Sequence, residues 1–288
     1  MNPIYQSAID GTLVSPKSDE KITNIKITNS LDIPVYIRIV DTEGNLTPPY
    51  PIHSNSGTTL TETYSGTYAV FTTAITGAFI CVIQFKADIK NYDVDKTLLV
   101  KPNDVGAFPK PSGDILIPSD SARIMVGSGT LANKKIMTRE QYWMRSPDSY
   151  TLAPNEKRTI GYTTTSGMQT TTSVEQEIAS SLGLSASAGW GPISASVSAS
   201  LSTSSRTMQQ VAITTESTRY ETVELSNPDN TPRLYLRWQL MEILSIFSVD
   251  TEIRPVASII QAMLPTLIGG PYMLSPQGDQ IISSGLSS

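Results

Sequence analysis

A chain of 288 residues, 39% apolar and 16% charged, has material for one large or two ordinary domains with a true core. Its single His and single Cys leave a zinc site short of ligands, forbid an internal disulfide, and give a Ser-His-Asp or Cys-His device only His53 to build on. The net charge of −5 and the lack of any Lys/Arg run argue against a phosphate-binding surface, so no nucleic-acid partner is expected.

Ser and Thr fill the place of the missing charges, which favours extended, β-rich structure. Residues 1–20 read as an N-terminal tail. Met1 to Ser18 shows no basic region followed by an apolar stretch, so no secretory signal is expected. No segment offers about 18 consecutive apolar residues, so no transmembrane helix is expected either. From Lys21 to Ile89 short alternating runs such as Ile25-Lys26-Ile27 and Val35-Tyr36-Ile37-Arg38-Ile39 are separated by turn residues, which predicts an antiparallel β-sandwich over 21–100. His53 lies in the turn-like Tyr50-Pro51-Ile52-His53-Ser54-Asn55-Ser56-Gly57 and reads as a solvated imidazole. Cys81 lies in the apolar run Ala78 to Ile83 and reads as a buried, inert thiol. Covalent catalysis is therefore not expected, no cofactor is implied, and the chain reads as a non-enzyme; the 26 acidic residues alone do not remove a carboxylate-pair glycosidase.

Lys101 to Ser121 turns Pro-rich and predicts an extended connection over 101–122, with a second, mostly β domain over 123–288. Gly127-Ser128-Gly129 lacks the Gly-Lys-Ser/Thr of a phosphate loop and reads as a turn. Tyr142-Trp143 is the aromatic pair best suited to stack on a sugar. Leu234 to Leu240 alternates as a strand, continuing less regularly to Phe247, and Val256 to Ile268 has the length of a short helix despite Pro265.

The most informative stretch is 178–205, which holds no charged residue. Its outgoing arm places Leu182, Leu184, Ala186, Ala188 and Trp190 at even positions. Its returning arm places Ile193, Ala195, Val197, Ala199 and Leu201 at odd ones. Folded at Gly191-Pro192, a two-residue turn pairs Trp190 with Ile193 and Leu182 with Leu201, and every apolar side chain lands on one face. Ser185, Ser187, Ser194, Ser196, Ser198 and Ser200 take the other. A one-residue slip would have split the two sets. Such a hairpin, with roughly ten residues per arm, matches a transmembrane β-strand of about 9–11 residues. A ring of copies would close a barrel with the apolar face to lipid and the Ser face to a wet lumen. Burying the larger outward side chains contributes on the order of 10 kcal/mol per copy. The Thr-rich flanks from Tyr162 and from Arg206 would lengthen the hairpin into a stem. A Ser/Ala linker and an ordinary core hairpin are the competing readings of the same residues.

From Tyr150 to Phe247 the chain resembles aerolysin-type β-pore-forming toxins, of the epsilon-toxin/mosquitocidal-toxin and monalysin kind. The features that carry it are the lead-in Tyr150-Thr151-Leu152-Ala153-Pro154-Asn155-Glu156-Lys157-Arg158-Thr159-Ile160, the Thr-rich flanks, the Ser/Ala hairpin and the strand from Leu234. The resemblance implies an elongated, mostly β pore-forming domain. It also implies a secreted or released form, monomeric or a small oligomer when soluble, that binds a protein or glycan receptor and acts at a host cell membrane. There it would form a homo-oligomer and insert one hairpin per copy, plausible targets being insects or other invertebrates. Lys110, Arg123 and Lys134-Lys135 are candidate activation sites. Separately, Ile27-Thr28-Asn29, Pro34-Val35-Tyr36, Asp41-Thr42-Glu43-Gly44-Asn45 and Thr63-Tyr64-Ser65-Gly66 resemble the β-domain of the von Hippel–Lindau tumour suppressor, with Tyr68 near where that family has Trp. That implies a sandwich suited to receptor binding and no ubiquitin-ligase role. The alternative function is a β-rich carbohydrate-binding module without pore activity.

Overall fold

The computed structural model describes residues 1–106, 120–131, 133–168, 172–201, 210–249, 252–274 and 281–283, with side chains as far as 263. The elements in chain order are α1 (Pro3–Ile9), β1 (Lys21–Asn29), β2 (Val35–Ile39), β3 (Tyr50–Ile52), β4 (Ser56–Tyr64), β5 (Tyr68–Thr73), β6 (Phe79–Gln84) and β7 (Asn91–Val94). After a short 3-10 turn at Lys96–Leu98 come β8 (Ile124–Thr130), β9 (Ile136–Leu152), β10 (Lys157–Ser166), α2 (Thr172–Ser181) and α3 (Trp190–Ser200). The chain then runs through β11 (Ser217–Ser226), β12 (Arg233–Val249), β13 (Ile253–Leu274) and β14 (Ile281–Ser283). The protein is mostly β.

The N-terminal alternation forms a sandwich. A three-stranded sheet, β4-β1-β7, faces strands β3-β2-β5-β6 across a core of Ile25, Ile27, Val35, Ile37, Phe71, Ile80 and Phe85. Ile25 and Ile27, and Val35 and Ile37, alternate with more exposed residues as the pleat requires, whereas β5 and β6 bury consecutive residues. Asn29 is the polar exception and is fully buried. Its Nδ2 donates to the carbonyls of Ile33 (2.8 Å), Ile52 (3.2 Å) and His53 (3.1 Å), while its Oδ1 accepts from Leu31 N–H at 3.0 Å. One amide thus ties three chain segments at the sandwich edge. His53 is exposed on the β3–β4 connection, and Cys81 is a free, fully buried thiol whose ionisation burial pushes up. The expected tail carries α1, begun by the Asn2 side chain accepting from Ile4 N–H, with Tyr5 packed edge-on against Phe79 at 5.4 Å.

Strands β3-β2-β5-β6 belong to a nine-stranded sheet that continues through β8, β9, β12 and β13 to β14. The join is a parallel pairing of Phe79 with Ile124. Around it a shared core draws on Val40, Val70, Phe79, Val126, Trp143, Leu236 and Trp238. Strand β12 is buried along most of its length, which explains why its alternation fades after Leu240: both of its faces are covered. Val256 to Ile268 is not a helix but part of β13, paired with β12 from Val249–Ile253 to Leu234–Tyr272. Pro265 and Gly269-Gly270 oppose a helix there, and Val256, Ile259 and Ile260 favour a strand.

Across β9, β12 and β13 runs a buried polar row. Glu242 is the register partner of Gln141 on one side and Gln261 on the other. Its carboxylate accepts from Arg139 Nε (2.6 Å), Gln141 Nε2 (2.7 Å) and Gln261 Nε2 (2.9 Å). The charge is buried but paired, with donors on both oxygens. Glu140, also buried, has only Thr76 Oγ1 donating to Oε1 at 2.5 Å, and Oε2 has no partner. Desolvation holds its pKa above the ordinary Glu range, against the lowering effects of Thr76 and Arg123. A raised folded-state pKa means stability that is complete at low pH and is lost as pH rises through it. Glu140→Gln keeps the Thr76 bond and removes the buried charge. Its melting temperature is expected above that of the native chain at about pH 7, with the gap closing as pH falls towards about 4; thermal melts across that range check it.

Candidate functional site

From 178 to 201 the chain is not a hairpin in this structure. Ile178 to Ser181 end α2, residues 182–189 form a turning connection, and Gly191 and Pro192 lie in the first turn of α3. Ser202 to Ser205 lie outside the described residues. The physical reason is that an isolated hairpin leaves two open edges, whereas a helix closes its own hydrogen bonds. Pro192 suits a first helical turn, where no intrahelical N–H is required of it. The apolar positions also serve both forms. Ile193, Val197 and Leu201 are spaced by four and are fully buried on one helix face, while Ala195 and Ala199, between them, are exposed.

That face packs on the long sheet, in a cluster with Ile178, Ala179, Met137, Leu244, Ile246 and Ile259. Leu182, Leu184 and Trp190 are half-buried against the same cluster, Ala186 is exposed and Ala188 half-buried. The serines hold the descending flank. Ser198 Oγ accepts from Val211 N–H (2.9 Å) and donates to Ser194 O (2.7 Å), and Ser194 Oγ accepts from Ile213 N–H at 2.9 Å. Ser196 and Ser200 are half-buried, and Ser185 and Ser187 are exposed. At the end of α2, Asn133 Nδ2 donates to Ser181 O (2.8 Å) and Lys135 Nζ to Ser181 Oγ (3.0 Å). Gly129 belongs to β8, not to a turn, and a Cβ there would overlap the Ser200 carbonyl. A glycine inside a strand is the sequence sign of such a close backbone approach.

The flanks form a separate two-stranded antiparallel ladder, β10-β11. One face carries Ile160, Tyr162, Thr164, Val223 and Leu225, all buried or half-buried, while Arg158, Ser217 and Arg219 of the same parity are exposed at its margins. The other carries Thr159, Gly161, Thr163, Tyr220, Thr222 and Glu224 and is open to solvent. Polar side chains of the sheet clasp the flank backbone. Arg237 donates from one nitrogen to Thr163 O (3.0 Å) and from another to Asp148 (2.5 Å). Gln239 Nε2 reaches Thr165 O (2.6 Å), and Gln261 Nε2 reaches Ala212 O (3.2 Å). The ladder stops at Ser166–Ser217 because Gly167, at φ +84°, exchanges two 2.9 Å bonds with Ala262 on β13 instead. None of these clasping residues stood out in the sequence beyond being polar in apolar strands.

Tyr142 and Trp143 are both buried, so the pair offers no open stacking face for a sugar. Strand β9 is covered on both sides there, which buries consecutive residues. Arg123 is exposed beside the Tyr142 ring, and Lys134 is exposed in the β8–β9 turn; Lys110 lies outside the described residues. Among the described residues no group of three or more His, Cys, Asp or Glu is placed to hold a metal ion, and no helix is long and apolar enough to cross a membrane.

Two perturbations test the seating of α3. Gly129→Ala sets a Cβ on a backbone carbonyl that cannot rotate aside, and is expected to lift the end of α3 at a cost of about 1–3 kcal/mol. Amide exchange over 190–201 should accelerate while 136–152 stays protected; equal protection would mean the helix does not rest on β8. The double change Ser194→Ala/Ser198→Ala strands two N–H groups, at about 1–3 kcal/mol each, and should speed exchange at Val211 and Ile213 first.

No protein-family model and no curated protein matches the chain. Among solved structures it is similar to Cry35Ab1, at 14% identity and a TM-score of 0.38, over 73% of this chain and 58% of that one. It is also similar to the oligomeric pore-forming toxin pro-Monalysin, at 10% identity and a TM-score of 0.29, over 60% of this chain and 78% of that one. The match thus spans little more than half the length of Cry35Ab1, and both likenesses are partial ones of shape.

Proposed function

We propose that the chain is a β-barrel pore-forming toxin in which each copy converts residues 157–226 into one long hairpin turned at Gly191-Pro192. The observation that carries this reading is a register. In the β10-β11 ladder, Lys157 pairs with Ser226 and Ser166 with Ser217, and both pairs of numbers sum to 383. Trp190 with Ile193 and Leu182 with Leu201, the pairs required by the apolar alternation, sum to the same value. Continued in the same register, the ladder would run without a slip or bulge into the hairpin that brings all its apolar side chains to one face, and would close on a two-residue turn. A slip of one residue would destroy the match.

The faces agree as well. The covered parity of β10-β11 continues into the apolar face of the hairpin, and the exposed parity continues into the Ser face. At about 3.3 Å per residue an arm from Lys157 to Trp190 spans roughly 110 Å, enough for a bilayer and a stem above it. Trp190 then reaches the far interface. Ile193, Val197 and Leu201 are already buried in the soluble fold, so their transfer to lipid is close to an exchange of one apolar site for another. The net apolar gain comes mainly from Leu182, Leu184 and Trp190, at about 1.5–3 kcal/mol for each fully exposed-to-buried side chain and less for these half-buried ones. Closure of the ladder between copies supplies the remainder. The partners are a homo-oligomeric ring, a target-cell membrane and a protein or glycan receptor for the N-terminal sandwich, with insects as plausible targets; no catalysis is involved.

Ala195 and Ala199 allow a clean test, because both are exposed on α3 and both face lipid in the hairpin. Ala195→Asp and Ala199→Asp are expected to leave the soluble melting curve unchanged. Each should cut dye release from vesicles of phosphatidylcholine and cholesterol by at least about tenfold, since a mid-bilayer charge costs up to about 2–4 kcal/mol per copy. Ser187→Asp, on the opposite face, should retain release. Full leakage from both Ala variants would rule out the hairpin.

A further inference from the structure

We infer that the lumen of this pore prefers cations and that Glu175 and Glu216 set the preference, an inference that rests on the hairpin reading above. Carried inward from Ser166–Ser217, the ladder register fixes a face for every residue of the segment. The parity exposed on β10-β11 comprises odd positions on the first arm and even positions on the second. Between Thr163 and Thr218 the sequence holds four charged residues: Glu175, Glu177, Arg206 and Glu216. All four fall on that parity, and the opposite face between the same limits carries none. The charge pattern thus agrees with the assignment of faces drawn from the apolar residues, although no charge was used to draw it.

The four do not act alike. Glu177 falls opposite Arg206 by count, so those two neutralise each other across the strands; Arg206 itself lies outside the described residues. Glu175 falls opposite Met208 and Glu216 opposite Gly167, so neither has a counter-charge directly across the ladder. Lys157 and Glu224 lie on the same face and balance one another further along the stem. Repeated around a ring, Glu175 and Glu216 become two circles of carboxylates, roughly 26 Å apart along the strand. Acidic rings of this kind select for cations. Their reach is a Debye length, about 10 Å at 0.1 M salt and about 3 Å at 1 M, so the preference weakens with ionic strength. In the soluble fold Glu175 sits half-buried in the first turn of α2 and Glu216 is exposed, so Gln is an isosteric replacement at both.

The test uses the full chain added to a planar bilayer of phosphatidylcholine and cholesterol under a KCl gradient centred near 0.1 M. The native chain should open steps that pass potassium over chloride by at least about threefold at that screening length. The preference should fall to near unity in Glu175→Gln/Glu216→Gln and be kept in Glu175→Asp/Glu216→Asp. Should the double Gln variant open no channels, the single Glu216→Gln is read instead and must lower the ratio. Steps that favour chloride, or a preference untouched by the Gln variants, overturn the inference and leave the pore standing. An absence of steps from the native chain, both here and in a bilayer fused with insect-cell membrane vesicles that carry proteins and glycans, removes the pore and the preference together.

Discussion

Between Thr172 and Leu201 the chain carries almost nothing but small residues, hydroxyls and a few aliphatics, yet each of its backbone N–H and C=O groups must find a partner. In a single copy only helices provide those partners from within, and the chain forms two of them. Two further N–H groups, on Val211 and Ile213, are met by serine hydroxyls of α3, so the flank depends on the helix beside it. A ladder would serve the same backbone equally well, but only with neighbours on both sides, and one copy has none to give. Under the proposed function, assembly is what makes the extended form affordable, because each copy closes the edge of the next.

Under that reading the side chains tolerate the conversion because the residues that anchor the helix form a subset of those that face one way in a strand. Every fourth position lies on one side of either conformation, which is why Ile193, Val197 and Leu201 can lie together on the apolar side in both. The intervening alanines are small enough to meet water on the helix at little cost. Glycine at 129 admits the helix backbone against β8, and glycine at 167 turns the first flank away from its ladder towards β13. Gln239 and Arg237 hold the flank by its carbonyls, contacts that do not depend on flank sequence and can be exchanged for water one at a time.

The sandwich was legible because its strands have one wet and one dry face, so Val35 to Ile39 and Ile25 to Ile27 alternate plainly. Strand β12 was legible only to Leu240, because it is buried on both faces from Leu236 to Phe247 and the polar residues there give out after Gln239 except at Glu242 and Ser245. The same double burial hides Tyr142 and Trp143, which look like a surface pair when read alone. Strand β13 was obscured by Pro265 and the paired glycines. The helices could not be read at all: a period of two dominates 182–201, Ser and Gly are poor helix formers, and the period of four is concealed within it. The two-arm alternation was nevertheless visible, and under the proposed function the β10-β11 register, observed from 157–226 to 166–217, is what sets the phase of the hairpin beyond it. Glu242 in an apolar strand was a sign of a buried acceptor that composition and spacing did not single out.

The outer side of β10-β11 is already bathed by solvent in the isolated molecule, with Thr159, Thr163, Thr222 and Glu224 open to it. If that side becomes the inside of the conduit, no dry channel ever has to be flooded. The water column is inherited from the surface of the free protein, and only the oily side trades surroundings. Conduction would then begin as soon as the ring is sealed, without a separate wetting step to delay it.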